Sequence, residues 1–248
     1  MEVHAHTHSP RKKWTHYLFE FFMLFLAVFC GFLAENVREH RIEHAREKKY
    51  IGSVLTDLRS DTSWMDKYMK DQQASIQAFD SVILLINKAD KDSLEQKRLY
   101  YLIRMAIKLS SPNKINYSAF DQIRNSGNLR LIRNQSTVDS ISSYYFTARD
   151  IEQLNETIMQ RQAALVEFEG NIFDGNVFHN MEDLNRFQFK EPVGQPRLIT
   201  SDKNLINNMI VRIHYLISAN SLSREYSAKQ KILAVHLIHY LKKEYHLK

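Results

Sequence analysis

The sequence contains few of the residues that break helices or cross-link a chain. Its 248 residues include six glycines, four prolines and one cysteine. A single cysteine excludes internal disulfides and CxxC pairs, and the sequence also lacks a glycine-rich phosphate loop and a GxSxG hydrolase motif. Because glycine and proline are the strongest helix breakers, their scarcity predicts an all-α fold.

The longest apolar run lies near the start of the sequence and predicts a single transmembrane helix over residues 14–34. Residues 21–34 are uninterruptedly apolar, but as a helix they would span only roughly 21 Å, short of the ~30 Å hydrocarbon core. Adding residues 14–20 makes the segment long enough to cross. A cleaved signal peptide, with Phe32 at the −3 position that favours a small residue, and a buried soluble helix are the alternatives.

Basic residues flank this segment on both sides and influence which end of the helix faces the cytoplasm. The tail, residues 1–13, ends in Arg11, Lys12 and Lys13, and short basic flanks tend to stay in the cytoplasm. Residues 35–49 also carry five basic residues, so the two flanks compete. We expect the tail to be cytoplasmic and the remainder to lie outside. In a bacterium this means an inner-membrane protein with a periplasmic domain.

Four residues of the predicted span are candidates for contacts with the membrane or with another helix: Glu20, Ala27, Gly31 and Ala34. An ionisable group at membrane depth is a functional candidate, although Glu20 is close enough to the basic tail to reach the headgroups. The three small residues share one helical face and permit close helix–helix approach. We therefore expect the lipid bilayer and a homo-oligomer or a membrane-protein partner as binding partners.

After the span we predict a charged stalk over residues 35–50 and a long-helix bundle over residues 51–248. Glutamates at i,i+4 spacing alternate with arginines in the stalk, and apolar residues recur at a period of 3.6 in the bundle. Residues 170–200 are predicted to form an irregular connection or short hairpin with an edge strand at 186–190. The predicted helices cover about residues 35–87, 94–109, 117–125, 136–169 and 202–245, with Ser93 and Ser136 as N-caps.

A glycine near the middle of the sequence is predicted to mark the structural centre of the bundle. Gly127 suits the left-handed position that ends a helix. Leu129, Leu131 and Ile132 then come close together before the next helix begins. Three large apolar residues beside a tight turn are predicted to be buried.

Two segments carry a resemblance to known proteins. The first consists of KKWTHY at residues 12–17, FFMLFLA at 21–27 and REH at 38–40, and the second is DQIRNSGNLRLIRN at 121–134 with Tyr144 and Tyr145 downstream. Together they resemble a family of uncharacterised bacterial single-span membrane proteins. The resemblance implies a short inside tail, one span and a helical extracytoplasmic domain. It implies no functional residues, because the family has no assigned activity.

One histidine pattern matches a catalytic motif. His40, Glu43 and His44 fit the H-x-x-E-H pattern of zinc peptidases, and i,i+4 spacing places both imidazoles on one helical face. They lie in a charged segment, without apolar residues that could exclude water. We therefore predict a solvated helix face and no catalytic role, with His40 and His44 as only weak candidates for metal ligands.

Two other groups of histidines are predicted to have ordinary roles. His4, His6 and His8 alternate in the polar tail, where a transient metal contact is the alternative to a solvated tail. His236 and His239 lie on the last helix and are predicted to be buried with hydrogen-bond partners rather than to act as ligands.

The formal net charge of +6 suggests two interpretations: contact with anionic lipid if the last helix returns toward the membrane, or ordinary solvation of charged helix ends. Half of this charge comes from the tail, and residues 224–248 carry six basic and two acidic residues. Because no nucleic-acid-binding motif is present, nucleic acid is not a predicted partner.

Three functions are compatible with these features. The leading one is a membrane-anchored scaffold or interaction protein that presents a helical bundle outside the cytoplasm within an oligomeric envelope assembly. The second is a ligand-sensing bundle acting through a partner protein, because a 13-residue tail is too short for a signalling domain. The third is a metallopeptidase at His40, Glu43 and His44. We expect no enzyme and no cofactor.

Overall fold

The computed structural model describes residues 14–183 and 188–247, and within these ranges the fold is all-helical. The chain divides into two compact units, Met1–Lys49 and Tyr50–Lys248, and we call the second the helical unit. Helix α1 (Trp14–Ile86) begins in the first unit and ends in the second. The predicted tail, with its basic residues and its histidines, lies outside the described residues.

The described residues contain five further α-helices: α2 (Ser93–Leu109), α3 (Ser118–Asn125), α4 (Gln135–Glu169), α5 (Gly175–Met181) and α6 (Lys203–Glu244). A short 3₁₀ helix, Asn128–Leu131, precedes α4. Strands β1 (Glu182–Asp183) and β2 (Gln188–Phe189) are antiparallel, with Glu182 opposite Phe189. The predicted helix boundaries are confirmed to within one residue. Residues 170–200 contain α5, which we did not predict, and residues 186–187 of the predicted strand lie outside the described ranges.

Aspartate or asparagine side chains begin four of these helices. At α2, Asp92 accepts a hydrogen bond from Glu95 N at 2.8 Å, and Glu95 Oε2 accepts one from Asp92 N at 3.2 Å. At α4, Asn134 accepts a hydrogen bond from Ser136 N at 2.9 Å. The predicted caps Ser93 and Ser136 are therefore wrong, because an Asx side chain just before each helix already satisfies first-turn N–H groups.

Apolar side chains of the helical unit form two separate buried clusters. The first apolar cluster joins α1, α3, α4 and α6 and includes Leu58, Phe120, Tyr145 and Leu237. The second apolar cluster joins α1, α2, α4 and α6 with the segment after α4 and includes Phe79, Leu99, Tyr100, Phe173 and Met209. Each cluster contains an apolar face of α1 and of α6, in agreement with the predicted period of 3.6.

Buried polar side chains lie between these clusters along α1 and α6. We call them the polar layer; they are Tyr68, Gln72 and Ser75 of α1, Ser110 and Asn113 after α2, and Asn220, Ser223 and Ser227 of α6. Tyr68 Oη lies 2.6 Å from Ser223 Oγ, and Ser110 Oγ donates to Asn220 Oδ1 at 3.0 Å. Asn113 Nδ2 donates to Ser227 Oγ at 2.8 Å. Hydrogen bonds between side chains therefore connect α1, α6 and the segment after α2 in this layer.

Candidate functional site

The apolar segment over residues 14–34 forms the first part of α1. Its large apolar side chains are between 43% and 79% exposed, and none of the residues in its most apolar stretch is buried. A helix of this length spans roughly 31 Å, close to the thickness of the hydrocarbon core. By length and composition the segment could therefore cross a membrane.

Glu20, the carboxylate in this segment, lies close to His16, a contact that was not predicted from the sequence. His16 Nε2 lies 3.2 Å from Glu20 Oε1, one helical turn away. A polar partner of this kind reduces the cost of placing the carboxylate near the membrane. Ala27, Gly31 and Ala34 are all exposed on the helix, and their proposed contact with another helix stays a prediction.

The residues of the H-x-x-E-H pattern pair along the helix rather than converge on one point. His40 and His44 are exposed. His40 Nδ1 lies 3.8 Å from Glu43 Oε2, and His44 Nδ1 lies 3.1 Å from Glu47 Oε2. Nowhere in residues 14–183 and 188–247 do three His, Cys, Asp or Glu side chains come together as a set that could hold a metal ion.

The two histidines of the last helix are exposed, so the prediction that they are buried is wrong. His236 and His239 face solvent on α6, whereas Ala234, Leu237 and Leu241 of the same helix are buried. At 100° per residue, both histidines lie off the face formed by these three residues. The sequence pattern did not show which face of α6 is covered.

Gly127 lies at the predicted turn, but the leucines after it are only partly covered. Gly127 has a φ of +70°, the left-handed conformation in which glycine has no steric penalty. Ile132 is buried, whereas Leu129 and Leu131 are half-buried, so the prediction of three buried side chains is wrong for both leucines. In the 3₁₀ helix, Asn128–Leu131, three residues per turn point Leu129 and Leu131 roughly 120° apart, so one neighbouring surface cannot cover both side chains.

Two buried carboxylates of α1, which the sequence analysis missed, hold the segment before α3. Asp57 accepts hydrogen bonds from Ala119 N at 2.7 Å and from Asn116 Nδ2 at 2.9 Å. Asp61 accepts from Asn116 N at 2.9 Å and from the Tyr144 hydroxyl at 2.8 Å. Because α3 has no side-chain cap of its own, Asp57 caps it from a distant part of the sequence.

A signal for one of these carboxylates was present in the sequence. Asp61 occupies a position in the apolar stripe of α1 between Leu58 and Met65, both of which are fully buried. A charged residue on a buried helical face is rare unless it has partners. Its partners could not be inferred, because Asn116 and Tyr144 lie on other elements.

Burial raises the pKa of two carboxyl groups in the helical unit. For Asp61 the pKa rises to about 6, mainly through desolvation and partly through the charge of Asp57, while its hydrogen bonds act in the opposite direction. For Glu169 burial raises the pKa to about 8, opposed by the charge of Arg104. Within the described ranges, Glu169 Oε1 is buried without a hydrogen-bond partner. Both groups therefore keep a proton to a higher pH than ordinary carboxyl groups do.

Two shallow cavities flank the first half of α4. One, of about 440 Å³, lies between α4 and α6 and is lined by Ser143, Leu233 and Leu237. The other, of about 550 Å³, lies between α3 and α4 and is lined by Ser143, Phe120 and Phe146. Since Ser143 borders both, the two cavities form neighbouring concave areas on one side of the helical unit.

Helix α6 carries a second apolar face, which is exposed. Val211, Tyr215, Leu222, Tyr226 and Leu233 are between 36% and 56% exposed, and their spacing of 4, 7, 4 and 7 residues keeps them within an arc of roughly 60°. Together they extend over roughly 33 Å of helix. We call these five residues the α6 stripe.

Comparison with known proteins provides no relatives: no protein family matches the sequence, and no curated protein or solved structure is significantly similar to it. The resemblance of residues 12–40 and 121–134 to single-span membrane proteins therefore stays a prediction.

Proposed function

We propose that the protein is a membrane-anchored interaction protein whose copies associate through the α6 stripe. The stripe is the observation that carries this proposal. Five large apolar side chains follow one line on the surface of α6, interrupted between Tyr226 and Leu233 by the exposed Lys229, whose ammonium lies 5.7 Å from the centre of the Tyr226 ring. Clustered exposed apolar side chains of this kind mark interaction sites in soluble domains. Two of the five are tyrosines, a residue type enriched in protein–protein interfaces.

Residues 14–34 support the membrane anchor in this proposal. Their apolar side chains are exposed all around the helix, whereas a helix in water buries at least one apolar face. In the proposed arrangement the helix crosses the inner membrane once, with residues 1–13 in the cytoplasm. Residues 35–50 form a charged stalk, and residues 51–248 form a bundle outside the cytoplasm. The family resemblance implies the same arrangement.

Anchoring favours a second copy of the chain as the partner of the stripe. Copies held in one membrane with one orientation meet at a high effective concentration. A straight apolar stripe can pair with itself about a two-fold axis, as in most homodimers. The exposed small residues Ala27, Gly31 and Ala34 would permit a further contact between the spans.

Sedimentation of the full-length chain in density-matched detergent micelles tests this proposal. We expect the wild type to be a dimer or larger oligomer at micromolar concentration. Leu222→Glu should shift it towards monomer, because a carboxylate in the centre of the stripe would have to be desolvated in the complex. Ile232→Glu is the matched control, because Ile232 is exposed on the same helix but outside the stripe. A wild type that is monomeric at every concentration, or equal effects of both variants, would contradict the proposed self-association.

The orientation is tested separately with reporters fused after Lys248. A reporter that is active only outside the cytoplasm should be active there, and a cytoplasm-specific reporter should be silent. Neutral residues in place of Arg11, Lys12 and Lys13 should weaken this orientation, because the basic residues after the span then dominate. Activity of the cytoplasmic reporter in the unaltered chain would reverse the topology.

The ligand-sensing function is the second candidate, and a different observation favours it. A cavity of about 830 Å³ lies beside the end of α1 and the start of α6. Basic and apolar side chains line this cavity, which suits a ligand that has both an anionic group and an apolar part.

A further inference from the structure

This cavity is bordered by the last residues of α1, the turn before α2, Gln96 of α2, the segment 197–201 and the first turns of α6. Its volume of about 830 Å³ falls within the range of roughly 300–1,000 Å³ that is typical of small-molecule sites. All of its lining residues belong to the helical unit. It is also separate from the α6 stripe, which begins at Val211.

The charged side chains that line the cavity are all basic: Lys88, Lys91, Arg197 and Lys203. Lys88 forms an ion pair with Glu95. The Lys91 ammonium donates to the backbone carbonyl of Lys88, and burial lowers the pKa of Lys91. Among the described residues, Lys91, Arg197 and Lys203 form no salt bridge. Glu95 and Asp90 lie close enough to Lys91 to raise its pKa, in opposition to burial. The cavity therefore presents four basic side chains, of which Arg197 and Lys203 have no carboxylate partner among the described residues.

The rest of the cavity lining includes apolar side chains and a hydrogen-bond acceptor, the side-chain oxygen of Gln96. Ile86, Ile206 and Ile210 provide apolar side chains. Gln96 also lines the cavity, and its side-chain oxygen is buried without a hydrogen-bond partner among the described residues. A ligand suited to this lining combines an anionic group with an apolar body and a hydroxyl or N–H donor.

The segment that carries Arg197 is held by its backbone. The Tyr100 hydroxyl donates to the Arg197 carbonyl at 2.8 Å and accepts from Asp174 N at 2.8 Å. Ile199 N donates to the Ile172 carbonyl at 3.0 Å. Because these bonds do not use the Arg197 side chain, that side chain can be replaced without releasing the segment. A wall fixed in this way reduces the ordering that binding requires.

We propose that this cavity binds an organic phosphate, with Lys91, Arg197 and Lys203 contacting the phosphate and the isoleucines contacting the organic part. A phosphate monoester carries about −1.5 to −2 charges at pH 7, so it complements three cationic groups better than a single carboxylate does. Arginine and lysine are the usual phosphate-binding side chains. The site does not depend on the proposed self-association.

Calorimetric titration of the full-length chain in detergent micelles with phenyl phosphate tests the proposal. We expect saturable binding of phenyl phosphate, weaker binding of inorganic phosphate and no binding of phenol, which lacks the charge. Benzoate has the same ring with a single carboxylate and should bind more weakly. No saturable binding of phenyl phosphate, or equally tight binding of benzoate, would overturn the assignment.

Two substitutions and a matched control locate the site. Arg197→Gln and Lys203→Gln should each weaken phenyl phosphate binding by about tenfold or more, because each removes a charge-assisted hydrogen bond. Lys243→Gln removes the same charge from an exposed position outside the cavity and should leave binding unchanged. Unchanged unfolding midpoints would show that the variants are folded. An equal loss in all three would reveal unspecific charge attraction and refute the site, whereas the sedimentation behaviour of the stripe is not expected to change in any of them.

Discussion

The two apolar clusters and the polar layer are both buried in the helical unit, but they contribute to the fold in different ways. Each cluster consists of side chains such as Leu58, Phe79 and Leu99 that are fully buried and are stabilised by non-directional contact. In the polar layer, Tyr68 and Ser223 need each other as hydrogen-bond partners at 2.6 Å. Several different packings of the apolar side chains would therefore stabilise the clusters. The hydrogen bonds of the polar layer form in only one arrangement of the helices.

We infer from this difference that the polar layer determines the register of α6 along α1. A shift of α6 by one turn could leave apolar residues facing one another, but it would separate Tyr68 from Ser223 and Asn220 from Ser110. Each buried polar group left without a partner costs about 1–3 kcal/mol. The clusters thus supply most of the free energy of unfolding, and the polar layer selects the register.

The largest expected effect is in the second apolar cluster. Leu99→Ala should lower the free energy of unfolding by about 2–5 kcal/mol, because a fully buried side chain is replaced by a cavity. Leu131→Ala is the matched substitution at a half-buried position and should cost roughly 1–2 kcal/mol. Denaturant unfolding of the full-length chain in micelles, followed by aromatic circular dichroism, measures both. Equal losses would mean that Leu131 belongs to the core.

A second test compares a buried acid that lacks hydrogen-bond partners with one in a hydrogen-bonded setting. Glu169 has a pKa of about 8 in the folded protein against 4.5 as its ordinary value, and Asp61 has a pKa of about 6 against 3.8. The folded state keeps these protons at pH values where the unfolded chain has released them. The free energy of unfolding should therefore fall as the pH rises from about 4 to 8, and remain level above that range.

Glu169→Gln tests how much of the fall in the free energy of unfolding above about pH 6 comes from Glu169. The neutral amide should make the variant more stable than the wild type at pH 9, by a few kcal/mol at most, and should have little effect at pH 4. The slope between pH 4 and 6 that comes from Asp61 should remain. Parallel stability curves for the variant and the wild type would show that Glu169 does not titrate with an elevated pKa.

The smallest expected effect comes from the distant cap of α3. Asp57→Ala removes the acceptor for Ala119 N and Asn116 Nδ2. It should cost about 1–3 kcal/mol through the buried Ala119 N–H alone, because the half-buried Asn116 side chain can bind water instead. Hydrogen exchange should accelerate first in α3. Asp80→Ala, at an exposed position of α1, is the control and should have almost no effect. Unchanged exchange in α3 after Asp57→Ala would show that Asp57 is not needed as a cap.

Local features of the sequence were enough to predict the helices. The period of 3.6 and the scarcity of glycine and proline gave helix boundaries that agree with the structure to within one residue. The predicted caps of α2 and α4 were one or two residues away from the observed ones. At each boundary both a serine and an Asx residue are present, and their side chains compete for the same backbone N–H groups. Helix α5 was missed because its seven residues are too short to show a period.

The sequence by itself determined where the helices other than α5 form, that residues 21–34 are apolar on every face, and that Gly127 can take up a left-handed turn. These properties depend on residues within a few positions of one another. Only the tertiary structure decided that Leu129 and Leu131 are half-buried, that His236 and His239 are exposed, and that Asp57 and Asp61 bind the segment before α3. It also left the α6 stripe uncovered. The physical reason is that burial depends on which face of a helix another element covers, and that element is distant in the sequence.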